Sequence, residues 1–226
     1  MRNLTQGTHG ADVLFLQCLI NKAEQASTVA EDGQFGPRTR TAVIRFQQRE
    51  RLAGAGFVGH DTWARLGQVE ERLHATRLVA QPTGMTCWSA AAAMVLHAPM
   101  PGAGGATIDP GGGLDMAISN IETFLASLGW HMVNNQSMPS LPTVIAAVRR
   151  APLWVAYRGN GFAHAVVYTG VYTSGSGDED TTVFRIHDPW PPHHGSIYGT
   201  TYRRGIAQDK AVNPAQNVMI AYMAQR

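Results

Sequence analysis

The chain has 226 residues, of which 44% are apolar and 15% charged, a composition typical of a folded globular protein rather than a disordered one. Its 18 lysines and arginines balance 16 acidic residues to a formal charge of +2, too small to indicate a nucleic-acid partner. No apolar run is long enough to predict a membrane span, and the two cysteines, Cys18 and Cys87, do not make a disulfide framework. The length predicts one large or two smaller domains.

The first third of the chain predicts three short helices joined by glycine turns. Val13, Leu16 and Ile20 recur at helical spacing and define one apolar face. Residues 39–51 give a second amphipathic pattern, and residues 61–66 a short third helix after a glycine turn. A small all-α domain over residues 1–67 is therefore expected.

This region resembles the three-helix peptidoglycan-binding domain found beside many cell-wall hydrolases. The resemblance covers nearly all of residues 4–67 and implies a module that docks on cell-wall polymer, without indicating individual binding residues. An alternative remains open, in which the aromatic side chains only fill a core and the module serves packing or export. The matching residues are Gly10, Ala11, Asp12, Val13, Leu16, Gln17, Asn21, Asp32, Gly33, Gln34, Phe35, Gly36, Thr39, Ala42, Val43, Phe46, Gln47, Gly59, Thr62 and Trp63.

The pattern changes beyond a polar segment, residues 68–77, which is interpreted as a linker or a bridging helix. Helical patterns come first and short β-branched or aromatic runs follow, an order typical of an α+β domain with an antiparallel sheet over residues 78–226. The glycine-rich residues 102–113 lack the pattern of a phosphate-binding loop and are interpreted as a surface loop. Predicted helices cover residues 86–97, 114–128 and 141–150, and predicted strands cover 153–157, 164–172, 181–187, 200–204 and 217–223.

Cys87 is a candidate nucleophile because it lies at the predicted start of the first of these helices. The positive end of the helix dipole favours the thiolate, which is the reactive form of cysteine. Gln81 lies six residues earlier on the loop that enters the helix, so its amide could join the backbone N–H of Cys87 in stabilising an oxyanion. A buried structural cysteine is the alternative.

His164 and Asp188 complete a candidate triad with Cys87. His164 opens an apolar strand after a glycine-flanked loop, and Asp188 ends the next strand, so adjacent antiparallel strands could bring them together. His187 is the weaker candidate base because neighbouring residues of a regular strand point to opposite faces. A metal site that combines the histidines of residues 187–194 with Asp188 is a minor alternative, since their spacing matches no recognised ligand pattern.

This second region resembles the papain-like cysteine peptidases, especially a compact bacterial effector branch. The resemblance implies a Cys87 nucleophile, a His164 base, an orienting Asp188, Gln81 as oxyanion donor and no cofactor or metal; papain itself has Asn as the third member. Trp88, Trp190 and Gly161 are expected to contact substrate, although both tryptophans could instead wedge the subdomains together. The residues that carry the resemblance are Gln81, Met85, Thr86, Cys87, Trp88, Ser89, Ala90, Ala91, His164, Ala165, Val166, Val167, Asp188, Pro189 and Trp190.

The two resemblances together predict a thiol hydrolase of amide bonds that is brought to the bacterial cell wall by its first domain. Peptidoglycan peptides are the favoured substrate because tethering to a polymer raises the effective concentration of bonds within it. A protein-cleaving effector that uses the first domain only for export, and a catalytically silent cell-wall-binding protein, are the alternatives.

The predicted place of action is the cell wall or periplasm. The first residues lack the apolar segment of a secretory signal, so delivery by a secretion machine or release on lysis is expected. An antibacterial role would add an immunity or inhibitor protein as a partner. No nucleic-acid partner and no membrane span are expected.

Overall fold

The computed structural model describes residues 1–67, 69–134, 138–159, 162–174, 177–203, 206–208 and 217–226. The first region contains three helices, α1 (Ala11–Glu24), α2 (Pro37–Arg49) and α3 (His60–Leu66). The sheet that follows later in the chain is antiparallel throughout its described pairings. The predicted order of a helical N-terminal region followed by an antiparallel C-terminal sheet is thus confirmed.

Two buried glutamines of the helical region hold the turns between its helices. Gln17 accepts a hydrogen bond from the backbone N–H of Gly33 at 2.8 Å, and its amide nitrogen donates to Asp32 Oδ1 at 2.8 Å. Gln47 likewise accepts from the N–H of Gly56 at 3.0 Å and donates to the carbonyl of Phe57. The glutamines of the sequence pattern therefore stabilise the fold, because each satisfies backbone groups that would otherwise be buried unpaired.

Helix α1 is buried on more than the one face that its apolar spacing predicts, because all residues from Ala11 to Ile20 are buried. One side of the helix contacts α2 and α3, and another contacts strands β5 (Thr182–Asp188) and β6 (Ser196–Arg203). Tyr172 and Val183 belong to the same hydrophobic core as the helical region. The helical region and the sheet are therefore packed together through α1, and we call this contact surface the seam.

Three further helices precede most of the sheet: α4 (Cys87–Leu96), α5 (Ile118–Ser127) and α6 (Leu141–Arg150). Each falls within a predicted helical segment, although α5 begins four residues later than expected. Helix α4 packs against strands β3 (Leu153–Gly159) and β4 (Phe162–Ser174). The remaining strands are β1 (Val69–Leu73), β2 (His131–Asn134), β7 (Ile206–Gln208) and β8 (Asn217–Gln225).

The sheet closes on itself. Strands β4, β3, β8, β7, β6 and β5 pair in that order, and β5 pairs again with β4. β1 adds to β4, and β2 adds to β8. Closure brings the start of β4 and the end of β5 side by side, which is the arrangement that a His164–Asp188 pair requires.

The structure differs from the interpretation of residues 68–77 as a linker or bridging helix. Val69–Leu73 forms β1, which pairs antiparallel with β4 from Val69 opposite Ser174 to Leu73 opposite Gly170. The chain pairs here because β4 runs for 13 residues and offers backbone partners beyond the reach of β3. Within the described part of the chain, no helix has the length and apolar character needed to cross a membrane.

Candidate active site

A cleft of about 470 Å³ opens between the start of α4 and the first residues of β4. Cys87 and His164 both line it, as do Trp88 and Trp190. Most of the remaining lining is apolar. The structure thus brings together, in one cleft, residues that the sequence distributes over more than 100 positions.

Cys87 is the first residue of α4 and is partly exposed. The helix has no side-chain cap, since the hydroxyl of Thr86 lies 3.2 Å from that of Thr83 instead of bonding to the first turn. The unpaired N–H groups of that turn give the sulfur a locally positive environment. The other cysteine, Cys18, is buried in α1, and both are free of disulfides.

His164 and Asp188 form a buried pair. His164 Nε2 lies 2.7 Å from Asp188 Oδ1, and the side chains are 5% and 0% exposed. The register explains the contact: Val167 of β4 lies opposite His187 of β5, so Asp188 is diagonal to His164 across the two strands.

Asp188 is held by two further hydrogen bonds. The backbone N–H of Trp190 donates to Asp188 Oδ1 at 2.8 Å, and the hydroxyl of Tyr198 donates to Oδ2 at 3.0 Å. With three hydrogen-bond partners, the carboxylate of Asp188 is fixed in position. Tyr198 had no distinguishing signal in the sequence, where it is one aromatic residue of an alternating strand.

The environment of His164 favours its protonated form. Burial opposes a charge on the ring and lowers its pKa, but hydrogen bonds with Asp188 and Cys87 outweigh burial and raise the pKa to about 10. Because Asp188 engages Nε2, Nδ1 is the ring nitrogen left to face the sulfur of Cys87. An imidazolium beside a cysteine stabilises the thiolate.

Gln81 is fully buried and is not among the described residues that line the cleft, but its backbone is tied to the loop that follows Asp188. Its backbone N–H donates to the carbonyl of Pro189 at 3.1 Å, and its carbonyl accepts from His193 at 2.9 Å. The side-chain nitrogen donates one hydrogen to the carbonyl of Thr83 at 2.5 Å. Its second hydrogen is not used by that bond.

Trp88 and Trp190 both line the cleft, and Trp88 also anchors its surroundings. The indole nitrogen of Trp88 donates to the carbonyl of Gly112 at 2.9 Å, and its ring meets Phe124 edge-on at 5.1 Å. The two expected roles, contact with the cleft and wedging of neighbouring elements, therefore coexist in Trp88. Gly161, the third expected substrate contact, lies outside the described residues.

His187 is separate from the His164–Asp188 pair. Its ring is 1% exposed, and neither ring nitrogen has a hydrogen-bond partner among the residues that the structure describes. Burial, with a smaller contribution from Arg185, lowers the pKa of His187 to about 4. Over the same described ranges, no three His, Cys, Asp or Glu side chains are grouped where they could hold a metal ion.

Sequence reasoning missed part of the cleft wall. Asp109 and Gly113 belong to the glycine-rich segment interpreted as a surface loop, yet both line the cleft. Met85 and Met116 line it as well. The link between Trp88 and Gly112 draws this loop against α4, a tertiary contact that composition does not reveal.

Comparisons with known proteins give one family match and two similar proteins. Residues 9–66 match the family model described as "Putative peptidoglycan binding domain". The chain is also similar to a zinc D-Ala-D-Ala carboxypeptidase of Streptomyces albus G, with 36% identity over 69 residues, which is 30% of this chain and 27% of that protein. An uncharacterized protein in the bpoA1 3' region of Kitasatospora aureofaciens is 40% identical over 63 residues, 28% of this chain and 53% of that protein.

The alignments therefore span about a quarter and about half of the length of these relatives. Within this chain, the family match covers all three helices of the first region. The resemblance predicted for residues 4–67 is confirmed: the chain carries an N-terminal peptidoglycan-binding domain, which associates it with the cell wall.

Proposed function

We propose that this protein is a papain-like cysteine hydrolase that cleaves amide bonds in the peptides of peptidoglycan. Cys87 is the nucleophile, His164 the acid and base, and Asp188 the residue that orients His164. The buried His164–Asp188 pair at 2.7 Å, beside Cys87 in one cleft, is the observation that supports this most directly. Such a pair next to a helix-terminal cysteine is the arrangement that activates a thiol.

The reaction begins with attack of the Cys87 thiolate on the carbonyl carbon of the scissile amide. The resulting oxyanion accepts a hydrogen bond from the backbone N–H of Cys87. The His164 imidazolium then gives its proton to the leaving nitrogen, the C–N bond breaks, and a thioester to Cys87 remains. Water attacks the thioester while neutral His164 takes one of its protons; the C–S bond then breaks, which releases the carboxylic acid product and restores the thiolate and the imidazolium.

Gln81 is the proposed second donor to the oxyanion. Its backbone hydrogen bonds to Pro189 and His193 hold it against the loop that follows Asp188. The same loop therefore positions both Gln81 and Asp188. The bond to Thr83 occupies one amide hydrogen, and the proposed contact with the oxyanion uses the other. Fixed donors stabilise developing charge without reorganising during the reaction.

Peptidoglycan is favoured over a protein as the substrate because of the first domain. Binding to a polymer raises the effective concentration of the bonds within that polymer. The seam keeps the binding domain packed on the sheet, so polymer captured by one is delivered near the other. One relative is named as a D-Ala-D-Ala carboxypeptidase, and a peptide portion of the cell wall is the corresponding substrate here.

Purified peptidoglycan tests the proposal directly. The wild-type protein is expected to release soluble peptide-containing fragments detectable by mass spectrometry, whereas Cys87→Ala is expected to release none. Cosedimentation of Cys87→Ala with the same peptidoglycan shows that the variant is folded and binding. Equal release by both proteins would overturn the cysteine mechanism, and no release by either would replace peptidoglycan with a protein substrate.

Delivery and an inhibitor partner remain predictions from sequence. Expression of the chain in bacteria with and without an added periplasmic signal tests an antibacterial role. Growth arrest only with the added signal is expected, and its loss in Cys87→Ala connects arrest to the cleft. Normal growth in both cases would contradict the antibacterial role.

A further inference from the structure

The acidic side chain of the cleft wall has no role in the reaction described above. Asp109 is the single acidic residue among the described residues that line the cleft. Apart from Cys87 and His164, its neighbours there are uncharged. A carboxylate in this setting provides a selective position for a cation on the substrate.

The Asp109 carboxylate is held in place by its own loop. Oδ1 accepts the backbone N–H groups of Gly111 at 2.7 Å and Gly113 at 3.0 Å. The backbone of Asp109 is also bonded to Gly113 and Gly112, at 2.8 and 2.9 Å. Because Trp88 bonds to the carbonyl of Gly112, the loop is anchored to the residue next to Cys87.

The second carboxylate oxygen lies near two residues that line the cleft. A Cβ added to Gly113 would come within 2.4 Å of Asp109 Oδ2 and 2.8 Å of Met85 Cε, and both Gly113 and Met85 line the cleft. The hydrogen bonds of the described residues engage Oδ1 and leave Oδ2 unpaired. Oδ2 is therefore available to a ligand, next to an apolar side chain.

A cation is also present near the rim. Arg158 approaches from β3, where its guanidinium lies 3.5 Å from the carbonyl of Met116, another lining residue. The positive charge of Arg158 partly offsets the negative charge of Asp109 near the cleft. The contribution of Asp109 is therefore best measured as a difference between variants that all keep Arg158.

We propose that Asp109 makes the cleft select peptides that carry a free amino group close to the scissile amide, an inference that rests on the cysteine hydrolase function proposed above. The ammonium contacts Oδ2, and the apolar part of the same residue packs against Met85 and Trp88. Within peptidoglycan, the ligand class is a stem peptide with an unblocked amine.

Charged thiol reagents measure this selectivity without requiring turnover. Aminoethyl methanethiosulfonate is cationic and sulfonatoethyl methanethiosulfonate is anionic; each transfers its thioalkyl group to a cysteine sulfur and leaves methanesulfinate. The ratio of their rate constants at Cys87 reports the local charge. Asp109→Asn keeps the Oδ1 acceptor and is expected to lower the cationic-to-anionic ratio about threefold to tenfold at low salt.

Asp115→Asn is the matched control. Like Asp109, Asp115 is an exposed acid of this loop region whose Oδ1 accepts a backbone N–H, that of Ala117 at 2.7 Å, but Asp115 does not line the cleft. This variant is expected to leave the ratio unchanged. Equal ratios in wild type, Asp109→Asn and Asp115→Asn would overturn the role of Asp109 while leaving the hydrolase function intact.

A lack of any reaction at Cys87 is the outcome that bears on both proposals, unlike equal ratios, which bear on Asp109 alone. If Cys87 reacts with neither reagent nor with neutral methyl methanethiosulfonate, both proposals are overturned, because a cleft closed to such small reagents admits no peptide.

With soluble muropeptides, acetylation of the free amines is expected to lower kcat/KM several-fold for wild type and little for Asp109→Asn. The same loss in both proteins would overturn selection by Asp109.

Discussion

The cleft lies between a helix and a strand of the second region, whereas the seam joins the helical region to the sheet, and the two are held together by different forces. In the cleft, a few buried polar atoms are paired: Asp188 has three hydrogen-bond partners, one of which is His164. At the seam, apolar groups are in contact, as where Phe15 of α1 lies 5.9 Å from Tyr172 of β4. Ion pairs such as Lys22–Asp178 lie at its exposed edge.

This difference predicts different sensitivities. A buried polar network fails when one partner is lost, because the remaining group is left charged or unsatisfied. A packed apolar surface depends on the fit of many atoms, while exposed ion pairs contribute little to it. Substitutions in the cleft should therefore change activity most, and substitutions at the seam should change stability.

Asp188→Ala is expected to have the largest effect. Alanine removes the carboxylate that orients His164 and stabilises its charge, so activity should fall by about 10³–10⁴-fold. The measurement is the rate of fragment release from peptidoglycan. Tyr198→Phe removes only one of the bonds to Asp188 and is expected to cost far less activity. Wild-type activity in Asp188→Ala would show that the pair is only structural.

Gly199→Ala tests the fit at the seam. A Cβ on Gly199 would lie 2.7 Å from Ala11 Cα and 3.0 Å from Ala11 Cβ, so α1 must move away from β6. Overpacking of this kind is expected to reduce the free energy of unfolding by about 1–3 kcal/mol. Denaturant unfolding measures it, while the alkylation rate of Cys87 under native conditions should stay unchanged.

Gly102→Ala is the control for this substitution, because an added Cβ there meets no atom within 4 Å. Its effect on stability should be within about 0.5 kcal/mol. If Gly199→Ala were equally neutral, α1 and the sheet would not be in close contact in solution.

His187→Leu separates the two buried histidines. The pKa of His187 is lowered to about 4 in the folded protein. Between pH 6.5 and 4, the unfolded chain therefore binds more protons at this residue than the folded protein does. The wild type therefore loses stability over that range, and His187→Leu should lose about 1–2 kcal/mol less. Urea unfolding at several pH values measures the difference.

Exposed His60 provides the comparison for that experiment, since its side chain is 93% exposed. His60→Gln should leave the acid dependence of stability unchanged. An identical pH dependence in wild type and His187→Leu would mean that the ring of His187 is hydrated or paired in solution.

The sequence was most informative where a functional residue lies at the end of an element. Cys87 starts a helix and Asp188 ends a strand, and both boundaries are visible as local patterns. β1 was missed because its residues, Val-Glu-Glu-Arg-Leu, include three charges and only two apolar side chains. Its pairing with β4 is decided by tertiary structure, which overrides local preference.

Asp109 and Gly199 were missed for another reason. The Asp109 turn is an ordinary loop feature until Trp88 brings it to the cleft, and Gly199 is unremarkable until α1 packs against it. Both depend on contacts between segments distant in sequence. Local patterns therefore located the groups that we propose are reactive, whereas the proposed selectivity of the cleft and the fit of the seam required the structure.

The Lys22–Asp178 pair is expected to have the smallest effect. It crosses the seam between α1 and the loop before β5, but the two side chains are 49% and 34% exposed. A double-mutant cycle with Lys22→Ala and Asp178→Ala should give a coupling energy of about 0–1 kcal/mol, smaller still at high salt. The Arg49–Glu24 pair, which lies within the helical region, should give a similar value from the same cycle. A coupling well above this range for Lys22–Asp178 alone would mean that charge, rather than packing, holds the seam together.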